Sequence, residues 1–232
     1  WKTCSPSGQR RENAPKRSAM ADQGVALQHK GPAKPYVIGL TGNLPSGKRL
    51  VGEPLAQLGA EHLDADRLAH QVMAPNTTAW HEIVAAFGAR IVAPEGKLDR
   101  QALGKVVFGD AAALARLEAI VHPRVIALTR QRIADSRAPV IVVEAIKLIE
   151  SGMVRQFCNA VWVVIAPREV RLSRLIEQRG LSRTAAELRV DAQPPQEEKI
   201  AHADVVIDNG GTVEQTVRQI KRAWAEIGSE EK

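Results

Sequence analysis

A chain of 232 residues with 44% hydrophobic and 25% charged side chains has the makeup of one ordinary globular domain carrying an insert or a tail, and no stretch approaches the ~18 consecutive apolar residues of a membrane span. Two cysteines, Cys4 and Cys158, cannot build a disulfide framework, nor with six scattered histidines a standard four-ligand zinc cluster, so a reducing, cytoplasmic setting is expected. The net charge of +6 hints at nucleic acid only until it is located: a net of +5 falls within the first 35 residues, and the rest of the chain is nearly neutral. Eight aromatic residues in all supply no stacking platform, and nucleic acid is not an expected partner.

Residues 1–35 are rich in Gly, Pro, Ser, Lys and Arg without a sustained apolar period, and read as a disordered basic tail. Met20 is the first methionine, so translation is expected to start there, with residues 1–19 as upstream sequence. An organelle transit peptide is the weaker alternative, and the missing apolar h-region argues against a secretory signal. Tyr36–Thr41 predicts a short apolar strand ending in a glycine-rich turn, with helix-compatible sequence to Leu58. A second strand, 61–63, runs into Asp64-Ala65-Asp66. Residues 67–135 read as helical, with breaks at Pro75, Gly88, Pro94-Glu95-Gly96 and Pro123 and one extended piece at Ile91-Val92. His122-Pro123 reads as a helix start. Strands resume at 140–143 and 161–165, two helical runs follow at about 168–179 and 183–192, and a last strand, 205–207, precedes a closing helix from about Val213 to Ile227. In that helix Val213, Val217, Ile220 and Trp224 recur at helical spacing as core contacts. Residues 229–232 are expected to be a disordered C-terminus. Strands alternating with helices predict an α/β fold whose parallel sheet is covered on both faces, with one helical insert at 67–135 and a second helical arm at 168–200.

The sharpest chemical signal is Gly42-Asn43-Leu44-Pro45-Ser46-Gly47-Lys48-Arg49, which meets the G-x-x-x-x-G-K-[ST] pattern in seven of its eight positions between a predicted strand and helix. Gly42 and Gly47 let the backbone turn so that its N–H groups converge on phosphate oxygens, the following helix aims its positive end at the same anion, and Lys48 supplies a point charge. The eighth position departs. Arg49 offers no acceptor oxygen, and Leu50 offers none either, so Mg²⁺ is held by carboxylates and water alone or activity is impaired. Asp64 and Asp66 follow the second strand at the edge where open α/β sheets place ligands, and one of them fits a base for a hydroxyl proton or a holder of the metal. The plainer reading makes Asp66 the cap of the next helix. Glu144 ends the third strand where a carboxylate touches the metal or its water, or is simply solvated. Arg174, Arg179, Arg183 and Arg189 lie along the second helical arm, as a phosphate clamp or as a solvated face.

These motifs together resemble the dephospho-coenzyme A kinases, over about 36–228. The resemblance rests on Ile38-Gly39-Leu40-Thr41-Gly42-Asn43 with Ser46-Gly47-Lys48, Leu63-Asp64-Ala65-Asp66 with Ala69-His70, Leu98-Asp99-Arg100, Leu117-Glu118-Ala119-Ile120-Val121-His122-Pro123, the segment 144–150, Gln193 with Glu197-Glu198-Lys199, and Ala203-Asp204-Val205-Val206-Ile207-Asp208-Asn209. It implies a three-layer P-loop fold with a five-stranded parallel sheet, a substrate-binding insert at 67–135 and a lid at about 168–200. It implies transfer of the γ-phosphate of ATP, with Mg²⁺, to the ribose 3′-hydroxyl of dephospho-coenzyme A. Asp66 would be the base, with Lys48 and Asp64 beside it. ATP would meet residues 42–49 together with Arg174, Arg179, Arg189 and Asn209, the last near the adenine. The acceptor would meet Asp64, His70, Arg100, His122 and Glu144, and Glu144 would reach the metal through water. Two departures stand out: Arg49-Leu50 replaces a Ser-Thr pair, and Glu144-Ala145-Ile146-Lys147-Leu148 stands where an aspartate and Ala-Pro-Leu-Leu are usual. The alternatives are a kinase for another nucleotide or nucleoside, and a catalytically weak protein that binds nucleotide or coenzyme A. The oligomeric state is left open.

Overall fold

The computed structural model describes residues 34–227, so the predicted tail up to residue 33, with Cys4, and the predicted C-terminus 229–232 lie outside the described residues. The chain order is β1 (Tyr36–Thr41), α1 (Lys48–Gln57), β2 (Glu61–Asp64), α2 (Ala65–Val72), α3 (Thr78–Phe87), α4 (Arg100–Val107), α5 (Ala111–Asp135), β3 (Val140–Glu144), α6 (Met153–Phe157), β4 (Ala160–Ile165), α7 (Arg168–Arg179), α8 (Arg183–Asp191), α9 (Gln196–Ile200), β5 (Val205–Asp208) and α10 (Val213–Ile227). The five strands form one sheet in the order β2-β3-β1-β4-β5, and every pairing is parallel. Parallel strands need crossover helices, and those helices bury both faces, which is why β1, β3 and β4 are almost wholly apolar.

Two apolar layers result. On one face Val37, Leu63, Ile141 and Val143 pack with helices of the 67–135 segment through Ile83, Leu103, Val107, Val121 and Val125. On the other, Ile38, Leu40, Val142, Trp162 and Val164 pack with Val51 and Leu55 of α1 and with Ile220, Ala223 and Trp224 of α10. A smaller cluster, Leu172, Leu175, Ala186 and Val190, joins α7 to α8. The central strand β1 has β3 on one side and β4 on the other, so its carboxyl end opens at the switch in strand order, where ligands of such sheets bind.

The predicted elements are present, with four differences. α5 passes straight through Pro123, so His122-Pro123 does not start a helix; Asp110 does, its Oδ1 accepting from the Ala112 and Ala113 N–H groups. A proline there forfeits one helical hydrogen bond, but Val121 and Val125 on either side are buried, and Arg124 Nη1 donates to the Ile120 carbonyl at 2.6 Å. Strand β2 extends to Asp64 and β3 to Glu144, because these two residues pair in register. The extended piece at Ile91-Val92 is a 3₁₀ turn, Ala89–Ile91, followed by a lone bridge between Val92 and Leu98. Val213 is 52% exposed at the start of α10, so the core face of that helix begins one turn later. Among the described residues no helix is long and apolar enough to cross a membrane.

Leu55 is fully buried where α1 meets the sheet. Leu55→Ala is therefore expected to lower unfolding stability by about 2–5 kcal/mol, read from urea denaturation, since it leaves a cavity under the helix that follows the glycine-rich turn.

Candidate active site

The turn after β1 is a loop whose glycines are sterically required. Gly42 has φ +154°, and a Cβ on it would stand 2.3 Å from the Val164 carbonyl oxygen. Gly47, at φ +87°, is the residue before α1, and a Cβ there would stand 2.2 Å from Asn209 Nδ2. Helix α1 begins with no side-chain cap and no acidic residue in its first turn, so its N-terminal N–H groups are left to an external anion.

Surrounding elements bond the carbonyl side of this loop. Arg174 of α7 donates from Nη1 to the Ser46 carbonyl at 2.9 Å and from Nη2 to the Asn209 carbonyl at 2.7 Å. Asn209, buried after β5, donates from Nδ2 to the same Ser46 carbonyl at 2.8 Å. Gln193, between α8 and α9, grips Leu44 twice: its Nε2 donates to the Leu44 carbonyl at 2.7 Å, and its Oε1 accepts from the Leu44 N–H at 2.6 Å. Asn43 Nδ2 donates to the Pro194 carbonyl at 2.7 Å. Ser46 Oγ is buried without a hydrogen-bond partner.

Lys48 is buried, and its Nζ donates to the Gly42 carbonyl at 3.1 Å. Burial pushes its pKa down; Glu144 most, then Asp66 and Asp64, push it back up, while Lys199 adds to the lowering. These carboxylates come together because β2 and β3 end side by side, with Asp64 paired to Glu144, and α2 starts at once. The carboxylates divide their work. Asp64 caps α2, its Oδ1 accepting from the Arg67 N–H at 3.0 Å. Asp66 is therefore free of the capping role. Its side chain reaches solvent, yet loss of hydration on its inner side and the charge of Asp64 raise its pKa, opposed by Lys48 and by the Ile146 N–H it accepts. Glu144 accepts from His62 Nε2 at 3.1 Å. Lys199, buried on α9, donates to the Ile146 carbonyl at 3.0 Å and to Glu150 Oε1 at 2.7 Å, which fixes the turn after Glu144.

The remaining predicted residues lie as follows. Arg49 turns outward: its side chain is 91% exposed, and its Nε donates to Glu53 Oε1 at 2.9 Å. Arg179 and Arg189 are exposed at the ends of α7 and α8, and Arg183 pairs with Glu187 and Glu169. The side-chain amide of Asn209 is engaged by the loop and by Thr216. His70 and Arg100 share a cavity of about 330 Å³ with Met73, Lys97, Leu98 and Leu103, away from His122, which is half-buried on α5. A larger cavity of about 570 Å³ is lined by Arg49, Glu53, His62, Asp64, Arg67 and Glu144. Sequence reasoning assigned no role to His62, Gln193 or Lys199. Gln193 and Lys199 stood among the residues that carry the resemblance, without a role, and His62 was only a polar side chain in a short strand.

For Mg²⁺, the chain supplies carboxylates but no hydroxyl at position 49. No group of three or more His, Cys, Asp or Glu among the described residues is arranged to hold a metal ion by itself. That donor set fits a cation held largely by phosphate oxygens and water.

A sequence profile of the dephospho-CoA kinases matches residues 36–215. The dephospho-CoA kinase of Geobacter sulfurreducens is 47% identical over 192 residues, covering 82% of this chain and 97% of that protein. The dephospho-CoA kinase of Moorella thermoacetica is 43% identical over 196 residues, 83% of this chain and 92% of that protein. Among solved structures, TT1252 from Thermus thermophilus superposes with a TM-score of 0.73 at 36% identity, covering 84% of this chain and 98% of that one. The dephospho-CoA kinase from Campylobacter jejuni superposes with a TM-score of 0.62 at 29% identity, with the same two coverages. With a glycine loop before an uncapped helix, a buried lysine and carboxylates converging at one sheet edge, and with this extent of match, the chain belongs to the dephospho-CoA kinase family.

Proposed function

We propose that this chain uses ATP to phosphorylate the ribose 3′-hydroxyl of dephospho-coenzyme A, giving coenzyme A and ADP. The observation that carries the reading is the division of labour between the paired aspartates. Asp64 is spent on the helix cap, whereas Asp66 is uncapped, unusually basic for an aspartate and within the field of Lys48 at the loop that would hold the phosphates. Asp66 accepts the proton of the attacking hydroxyl; the hydroxyl oxygen forms its bond to the γ-phosphorus as the bond to the β–γ bridging oxygen breaks, leaving ADP. Lys48, the loop N–H groups and the start of α1 take up the phosphate charge. Glu144 and the Asp64 oxygen not used by the helix cap would face the water shell of a Mg²⁺ bound with the nucleotide, which would neutralise charge on the phosphate oxygens. Residues 36–228 form the kinase domain on this reading. Within it 67–135 is the substrate-binding insert, with His70 and Arg100 in its cavity and His122 on its long helix, and about 168–200 is the lid. Arg174 and Asn209 act on ATP by bracing the loop, and Arg179 and Arg189 stand on the lid for the nucleotide. Nothing among the relatives favours a different nucleotide acceptor or a catalytically weak binding protein.

The direct test is transfer from labelled ATP to a panel of acceptors. Dephospho-coenzyme A is expected to be phosphorylated in preference to adenosine and AMP. A preference for another nucleotide overturns the assignment. In the same assay Lys48→Ala abolishes ATP binding or turnover.

Asp66→Asn is expected to cut turnover by about 10²–10⁴-fold with little change in acceptor affinity. Because the pKa of Asp66 is raised on folding, the stability it contributes is present in acid and lost as pH rises through its folded pKa. The Asn variant should therefore melt above the parent at neutral pH, with the gap closing as pH falls through the carboxylate range. Parent turnover should fall on acidification with a midpoint above that of an ordinary aspartate. A near-parental rate in the Asn variant refutes the base.

Arg49→Ser restores a hydroxyl at the position where Mg²⁺ expects one. Turnover at saturating Mg²⁺ should rise and its dependence on the ion sharpen, with little change in melting temperature, because the exposed Arg49–Glu53 pair adds little to stability. Turnover that stays level or falls shows that the arginine is not a defect.

A further inference from the structure

His62 sits on β2 two residues before Asp64, opposite Val142 of β3, while Asp64 is opposite Glu144. Strand alternation puts His62 and Asp64 on the face that carries α1. The imidazole reaches diagonally across to Glu144, Nε2 to Oε2, at 3.1 Å. A carboxylate brings no proton to such a contact, so Nε2 carries it and His62 is the donor. The ring is held from a second side as well. Gly52 of α1 lies so close that a Cβ there would stand 3.2 Å from Nε2, so the helix leading out of the phosphate loop packs on the imidazole. Around this contact stand Arg49 and Glu53 from α1, Asp64 from β2, Arg67 from α2 and Glu144 from β3.

Glu144 exerts the strongest favourable charge on Lys48, yet the lysine hydrogen-bonds to the Gly42 carbonyl and not to it. Lys48 is buried, and Glu144 contributes the largest charge that offsets its burial, so a Glu144 released from His62 is the carboxylate best placed to pair with the ammonium. We infer that His62 is a positioning residue that tethers the Glu144 carboxylate away from Lys48, so that the ammonium stays open to the phosphates of a nucleotide. The residue acts through Glu144 and touches neither nucleotide nor acceptor. The inference rests on the phosphate-binding role of residues 42–48 and is independent of which acceptor the chain phosphorylates.

The test is calorimetric titration with ATP, without Mg²⁺ and again with it. His62→Val keeps a β-branched residue in the strand but removes the donor. ATP affinity should fall by about ten-fold in both conditions, the size of one competing charge-assisted hydrogen bond. Adding Glu144→Gln to His62→Val removes the competing charge and should restore the affinity of the parent in the titration without Mg²⁺, where Glu144 has no metal to serve. His62→Gln, which keeps a side-chain N–H donor, should bind ATP like the parent, and it decides the matter if the Val variant fails to fold. Unchanged affinity in His62→Val overturns the inference. So does a double variant as weak as the single one without Mg²⁺, or a folded His62→Gln that binds ten-fold more weakly. A parent that binds ATP but does not phosphorylate dephospho-coenzyme A refutes the proposed function and leaves this measurement intact; a parent that binds no ATP refutes both.

Discussion

A loop that binds phosphate through its backbone N–H groups must leave them unpaired and still be rigid. This chain bonds the loop largely through its carbonyls: of the N–H groups, that of Leu44 goes to Gln193 and that of Ser46 to the Asn43 carbonyl, while those that open α1 have no side-chain cap. The carbonyls of Gly42, Leu44 and Ser46 accept from Lys48, Gln193, Arg174 and Asn209, side chains drawn from four separate segments. Each donor is the long or amide-bearing side chain that such a reach demands, and three of the four come from beyond β4. The C-terminal third of the chain therefore has a task at the N-terminal loop. The helical arm of α7 and α8 packs through its own small apolar cluster, and Arg174 of α7 donates from it to the Asn209 carbonyl.

Charge follows from the same arrangement. Bringing Lys48 into the loop buries an ammonium group, which lowers its pKa, and the ends of β2 and β3 supply the compensating carboxylates. Two of these carboxylates carry second tasks, Asp64 as a helix cap and Glu144 as the acceptor of His62, which leaves Asp66 the most chemically available. Its raised basicity follows first from loss of hydration and then from the neighbouring charge of Asp64, with Lys48 opposing both.

Much of this was legible in the sequence, because strand periodicity and the glycine spacing are local properties. The five strands and the helices at 168–179 and 213–227 lie where residue patterns put them, and residues 42–48 announce the loop. What escaped depends on partners distant in sequence. Pro123 is ordinarily a helix boundary, and only packing of Val121 and Val125 on both sides carries α5 through it. Whether Asp64 or Asp66 capped α2 turned on where β2 stopped, which its pairing with β3 decides. The tie between Gln193 and Leu44 spans 149 residues, and that between His62 and Glu144 spans 82, separations at which spacing carries no information. Arg174, Arg179 and Arg189 looked equivalent as a row on a helical arm. Of these three only Arg174 reaches the loop: it is half-buried and donates to the Ser46 and Asn209 carbonyls, whereas Arg179 and Arg189 are exposed.

Position 49 separates what the fold requires from what the chemistry requires. Gly42, Gly47 and Lys48 are each fixed by neighbours that a different side chain would strike or leave unpaired. Arg49 is not held in this way: its side chain leaves the loop, is largely in solvent at the rim of the larger cavity and pairs with Glu53 one turn on. Folding is thus indifferent to the residue there, and a hydroxyl at that site serves the metal alone. The backbone N–H of Arg49, by contrast, belongs to the first turn of α1 and is aimed at the phosphate site whatever side chain it bears. On the proposed function, the missing hydroxyl bears on the cation and not on the loop backbone, since the glycine turn and the start of α1 are formed with arginine at position 49.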